Sequence, residues 1–383
     1  MTVTERAEVV IIGGGVIGCA IAYNLAKSGM KDILLLEKSY LPSGSTGRCG
    51  AGVRQQWGTE MNCILSRESV RRFETLNETL DYNGDIEFKQ RGYLMVAHSE
   101  KEWNQFQKNL KLQNQLQIPS KSLTPEEAAA IVPILNTDGL LGATFCPTDG
   151  HCNPFYVTDA YAQAARRLGA TIRTHCQVTS IDVAGDKVKG VHTEQGYVST
   201  PLVINAAGAF SQEVAAMADL DIPVYSERHQ ILVTEPVAPT LDPMVISLSQ
   251  HIYCQQVPHG SFLMGLGDPN EIKTTDTGHS WQFLSNIAQR VTSILPPLGE
   301  LRVVRQWSGS YNITPDAQPI LGQGGPEGFL MAVGFSGHGF MLAPVVGEAL
   351  AALILGEEPP VPVSQLDLGR FERGDLIREP SVV

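Results

Sequence analysis

The stretch EVVIIGGGVIGCAIAYNLA, Glu8–Ala26, limits the possible folds of this chain more than any other. Ala7–Ile12 reads as a β-branched strand of the kind buried on both faces of a parallel sheet. Gly13-Gly14-Gly15-Val16-Ile17-Gly18 then fits G-x-G-x-x-G, and an apolar-periodic helix runs on to Ser28-Gly29, with Gly29 as its natural C-terminal cap. A second strand, Asp32–Leu36, ends on Glu37, about twenty residues past the last glycine. Strand, glycine turn, helix, strand and terminal acid form the cradle of a dinucleotide. Gly13 makes the tight turn, Gly15 lets a pyrophosphate approach the backbone, and Val16 and Ile17 open the helix that faces it. Gly18 lets helix and strand pack, and Glu37 accepts ribose hydroxyls. An acid at Glu37, where a base would be needed, argues against a 2′-phosphate.

The same run is close to the roughly 20 residues of a membrane span, but its three glycines interrupt the helix that a span requires. Glu5 and Glu8 flank Arg6 where a signal peptide needs net positive charge. Met341–Leu355, the other long apolar stretch, is cut by Glu348. No membrane span and a cytoplasmic location are therefore expected. With 28 basic against 40 acidic residues the net charge is -12, which repels nucleic acid. The seven cysteines include no C-x-x-C pair and read as reduced thiols. Cys146, His151 and Cys152 are close in sequence but lack the further ligands of a metal site, so they are taken as structural and no metal is expected.

Nicotinamide and flavin nucleotides share this cradle, so the rest of the chain must separate them. Glu37-Lys38 and the following LPSGSTGRCGAGVRQQWG resemble the FAD-dependent amino acid oxidase and sarcosine oxidase family, in which this loop passes beside the flavin. DGHCNPFYVTDAYAQAARRLGATI (Asp149–Ile172), PLVINAAGAFS (Pro201–Ser211), GSYNITPDAQPILG (Gly309–Gly322) and VGFSGHGFMLAPVVGEALAALILG (Val333–Gly356) are similar to later segments of that family, in order and over nearly the whole chain. The last is the most specific. The likeness is greatest to the β subunits of heteromeric sarcosine oxidase and L-proline dehydrogenase.

The resemblance implies an α/β fold with a Rossmann-like FAD-binding domain and a mixed-sheet substrate domain. The first is expected from 1–80, 150–220 and 310–383, and the second from 81–149 and 221–309. It adds Lys38, Ser45, Thr46, Arg48, Val178, Ala207 and Gly208 to the flavin site, together with Gly337, His338, Gly339, Phe340 and Met341. The last group begins a helix, with Pro344 placed in its first turn, whose positive end faces the flavin. Positions of covalent attachment in relatives hold Gly309, Arg48 and Pro154 here, which implies non-covalent FAD. A second flavin requires a partner subunit.

Oxidation of an amine by flavin needs a carboxylate anchor and a dry wall more than acid-base groups. Arg54 matches a substrate-carboxylate arginine of the sarcosine oxidases, and its guanidinium fork suits a carboxylate. Tyr253 resembles a pocket tyrosine, although a core tyrosine reads the same way, and His338 is assigned to orienting substrate or tuning the flavin. Tyr311 stands where glycine oxidases use an arginine, which moves the carboxylate onto Arg54. The lysine that activates oxygen in monomeric sarcosine oxidases is absent: Phe262-Leu263-Met264 and Met341 occupy the matching places. A dehydrogenase acting on a small secondary or α-amino acid, with a partner subunit or electron acceptor, is expected. A flavin-carrying subunit without turnover, a D-amino acid or glycine oxidase and a nicotinamide enzyme stand as alternatives.

Overall fold

The structure, a computed structural model, describes residues 5–381. Strand β1 (Val9–Ile12) leads through the glycine turn into helix α1 (Val16–Lys27) and then strand β2 (Ile33–Leu36). Every residue of both strands is buried, which explains their unbroken apolar sequence. They pair in parallel from Val9 opposite Ile33 to Ile12 opposite Leu36. Glu5–Arg6 forms a separate short strand in another sheet, so the expected first strand starts two residues later, at Val9. The full sheet has six strands in the order 320–323, 329–333, 203–205, β1, β2, 171–173. Only 320–323, at the edge, is antiparallel to its neighbour.

Helix α2 (Glu60–Glu74) follows the long loop after β2. A second, eight-stranded sheet contains β3 (Tyr225–Pro236) and β4 (Val303–Ile313) at one side, followed by 261–266, 252–256, 244–247, 93–97, 142–146 and 121–123. Its alternation divides the side chains. Leu94 and Val96 join a core under the helices 125–131 and 281–294. Tyr93 and Met95 turn to the opposite face with Met244, Ile246 and Tyr253. Helix α3 (Gly339–Leu355) packs on α1 and α2, all within the largest apolar core. This distribution of strands supports the two-lobe division that we propose, 1–80, 150–220 and 310–383 against 81–149 and 221–309, with β4 running on to Ile313 across one boundary. Among the described residues no helix is long and apolar enough to cross a membrane.

Local signals work as written. Ser99 caps the helix Glu100–Gln115 by accepting from Glu102 N, and Thr124 and Glu127 form a reciprocal capping box. Pro344 differs from expectation. It is the sixth residue of α3, past the first turn, and sits inside the helix, where it deletes one backbone hydrogen bond.

Two buried contacts fix the segments that reach the cavity. Gly18 packs so tightly that a Cβ there would lie 2.0 Å from the carbonyl oxygen of Gly13. Asp149, fully buried, accepts from Gln55 N (2.9 Å), Gln55 Nε2 (3.2 Å) and Gln56 Nε2 (3.2 Å), tying the loop after residue 50 to the second lobe. Burial pushes its pKa up to about 6, against the pull of those donors.

Gly18→Ala must separate α1 from the glycine turn, and we expect a loss of about 1–3 kcal/mol in stability, read as a lower melting temperature of the cofactor-free protein. For Asp149 the folded pKa exceeds that of an open-chain carboxylate, so its contribution to stability is full below about pH 4 and is lost as the pH rises through 6. Relative to Asp149→Asn, the melting temperature of the natural protein should therefore fall between pH 4 and 6. A constant difference across that range would refute the assignment.

Candidate functional site

A single cavity of about 560 Å³ runs from the end of β2 to the second sheet. At one end Gly13 has φ +116°, and a Cβ there would lie 2.4 Å from the Ala206 carbonyl, so only glycine lets β1 turn beneath the strand 203–205. Gly15 is the cap residue of α1 and has no side chain to satisfy the helix end, where Thr46 Oγ1 accepts from Val16 N at 3.2 Å. Glu37 is buried at the tip of β2. Its Oε2 accepts from Gly14 N at 2.8 Å and its Oε1 from Ser39 N at 2.8 Å. Lys38 stacks its ammonium 3.0 Å over the ring of Phe210, and burial lowers its pKa.

The middle of the cavity is closed by chain segments far apart in sequence. Ser45 Oγ donates to Ser310 O at 2.7 Å, and Arg48 Nη1 donates to Ser308 O at 3.0 Å, which joins the loop after β2 to β4. Val178, Ala207 and Gly208 line one wall. The start of α3 lines another, with Gly337 at φ +87° so close to Tyr311 that a Cβ would meet its ring at 2.6 Å.

The far end is apolar and aromatic around one cation. Arg54 is only 3% exposed, and its guanidinium lies 3.7 Å over the Trp57 ring. Nη2 donates to Ser381 O at 3.1 Å, and among the described residues no carboxylate lies within ion-pair distance. Burial lowers its pKa, yet a guanidinium stays charged, so a positive charge without an ion-pair partner among the described residues faces the cavity. Opposite, His229 stacks between Tyr253 (5.8 Å, 9°) and Tyr311 (4.2 Å, 6°), and its Nε2 is buried without a hydrogen-bond partner. Burial pushes the His229 pKa down to about 4. His338 meets Trp57 edge-on at 4.5 Å, and burial, then the charge of Arg54, pushes its pKa down to about 3. Both imidazoles are neutral at physiological pH.

Every candidate site residue lines this cavity except Gly18. Gly18 serves the packing of α1 on the turn and does not reach the cavity, which corrects its grouping with the cofactor contacts. His229, Tyr93 and Trp57 were not anticipated. His229 is a lone histidine in a strand pattern, and nothing local shows that β3 carries it beside Tyr311; only pairing with β4 does, placing His229 opposite Gly309. Cys146, His151 and Cys152 are buried, and among the described residues no group of three or more His, Cys, Asp or Glu is placed to hold a metal ion.

The elongated cavity fits FAD. Bare backbone at Gly13–Gly15 suits a pyrophosphate, Glu37 suits a ribose, and the start of α3 with the aromatic far wall suits a flat ring system. Comparison with known proteins agrees. Sarcosine oxidase subunit beta of Rhodobacter capsulatus is 29% identical over 380 residues, covering 98% of this chain and 91% of that protein. The solved L-proline dehydrogenase of P. horikoshii superimposes with a TM-score of 0.93 at 38% identity, covering 98% of this chain and all of that one. Glycine oxidase from Geobacillus kaustophilus gives a TM-score of 0.88 at 25% identity over 96% of this chain and 99% of its own. The family model described as DAO, FAD dependent oxidoreductase, matches residues 8–353, and the chain belongs to that family of flavin enzymes.

Proposed function

We propose that this enzyme oxidises a secondary or α-amino acid of the sarcosine or proline type to its imine, with FAD held non-covalently. The carrying observation is Arg54: a buried guanidinium, unmatched by any carboxylate among the described residues, at the dry end of a cavity whose other end suits a dinucleotide. The names of the similar sarcosine oxidase subunits, L-proline dehydrogenase and glycine oxidase support an amino acid substrate.

FAD, when bound, would supply the oxidising power, as acceptor for the α-hydrogen and its electron pair. Arg54 binds the substrate carboxylate through its fork, and Trp57 beneath the guanidinium fixes the plane of that fork. Tyr253, Met244, Ile246 and Ile231 wall the site and limit water. Burial raises the pKa of Tyr93, Tyr253 and Tyr311 and lowers that of His229 and His338, so none of these changes charge near neutrality. The proton of a substrate ammonium must then leave to solvent before oxidation.

The side chains nearby support the non-covalent reading. Gly309 has no side chain, and Arg48 is engaged with Ser43 and Ser308 carbonyls. Cys49 lines the cavity, but burial pushes its pKa up to about 12, so it stays a thiol that donates to Thr46 O. Lys38 is the only lysine in the lining, and it lies at the nucleotide end. With no ammonium among the described residues that line the substrate end, we read a dehydrogenase that passes electrons to a partner subunit or other acceptor. Its location is proposed to be cytoplasmic.

The test is anaerobic addition of L-proline, sarcosine, glycine and D-amino acids to the FAD-loaded enzyme while following flavin absorbance. At least one secondary amino acid should bleach it; failure of all of them would remove the proposed activity. Arg54→Ala should weaken carboxylate substrates by about 1.5–3 kcal/mol, roughly ten- to a hundredfold in Kd, with partial recovery in Arg54→Lys. The reduction rate should rise with pH along the titration of the substrate's own amine, and His338→Asn should leave the midpoint of that rise in place. A midpoint that moved with this substitution would give His338 a proton-handling role.

A further inference from the structure

The loop that bears Arg54 is held at its far end by a segment more than three hundred residues away. Thr59 is the cap residue of α2, yet its own side chain makes no cap bond. Glu379 instead ties down the residues that lead into the helix. Its Oε1 accepts from Gly58 N (2.8 Å), and its Oε2 accepts from Thr59 N (3.1 Å), Thr59 Oγ1 (2.8 Å) and Asn62 Nδ2 (3.0 Å). Pro380 lies on Gly58, where a Cβ would meet its ring at 2.5 Å. Ser381 is fully buried. Its Oγ accepts from Asn109 Nδ2 at 2.7 Å, its N donates to Glu379 Oε1 at 3.0 Å, and its carbonyl accepts from Arg54 Nη2 at 3.1 Å. Upstream, Ile377 N donates to Asp316 Oδ2 at 3.3 Å, and Asp316 is paired with the buried Arg370.

The chemistry of this contact is selective. A carboxylate touching Arg54 would neutralise the guanidinium and compete with an acidic substrate. A carbonyl fixes its direction and leaves the charge intact. Glu379 bonds Gly58 and Thr59 just before α2 and the Asn62 side chain within it, near the positive end of that helix, and makes no direct contact with the guanidinium, although its charge is felt there. On the other side of Arg54, Asp149 binds Gln55 and Gln56 and likewise does not touch the guanidinium.

We infer that residues 379–381 form a strap that aims Arg54 at the substrate carboxylate, with Glu379 as the positioning residue that locks the strap to α2. The inference rests on Arg54 being the carboxylate anchor. It assigns to Glu379 an effect on ligand charge selection that a plain stabilising contact would not have.

Glu379→Gln, Asn109→Ala and Arg54→Ala are compared with the natural FAD-loaded enzyme. The probes are pyrrole-2-carboxylate, a proline-like acid with no Cα–H to lose, and its neutral carboxamide, and binding is read from perturbation of flavin absorbance. Glu379→Gln should weaken the acid about ten- to a hundredfold, the scale of a sub-ångström to 1 Å misplacement, and change the amide by less than about twofold. Equal losses for both probes, or none, would overturn the strap, the first showing a purely structural contact. If Arg54→Ala weakens the acid and Glu379→Gln does not, only the strap fails. If Arg54→Ala has no effect, the anchor itself is wrong. Should Glu379→Gln not fold, Asn109→Ala, which frees the Ser381 side chain and otherwise only the part-buried Gln105 amide, decides: a selective loss of about fivefold for the acid supports the strap and an unchanged acid Kd rejects it.

Discussion

Contact of Gly18 with the Gly13 carbonyl is the constraint on which the rest of this structure depends. It brings the first turn of α1 directly against the end of β1, so a helix end whose own cap residue is a bare glycine faces the cavity. Because β1 lies at the centre of the six-stranded sheet, that helix end is held by buried strands on both sides. One added methyl group would disturb the sheet packing and the nucleotide end together.

The second organising feature is how the enzyme treats charge. At the nucleotide end Glu37 is satisfied by backbone N–H groups of Gly14 and Ser39. At the substrate end the polarity is reversed, and Arg54 is supported by an aromatic ring and a carbonyl while acids nearby are occupied elsewhere. Leaving a buried cation without a carboxylate costs stability, and it is tolerated where a ligand brings the missing charge. Neutral histidines and protonated tyrosines around it keep the only strong field in that wall with Arg54.

The sequence carried the nucleotide end almost completely. Turn, helix and acid lie within one short stretch, and each residue type has a local reason that spacing alone can express. Arg54 could be singled out through family resemblance, yet its lack of a carboxylate partner among the described residues could not. That property depends on Asp149, Glu379 and Ser381, which reach it from distant parts of the chain. Pro344 shows the converse: a proline near a helix start suggests the first turn, but the helix already begins at Gly339, directly after His338, which leaves Pro344 beyond that turn.

By itself, then, the sequence determined the parallel sheet, the bare glycine cradle and the acid at Glu37, since these rest on periodicity and on side chains being present or absent. Tertiary structure alone decided the aromatic sandwich at His229, the packing duty of Gly18 and the strap over Arg54. Those arise from strand pairing across β3 and β4 and from a tail returning to α2, contacts between residues far apart in the chain, whose separation leaves no periodic trace.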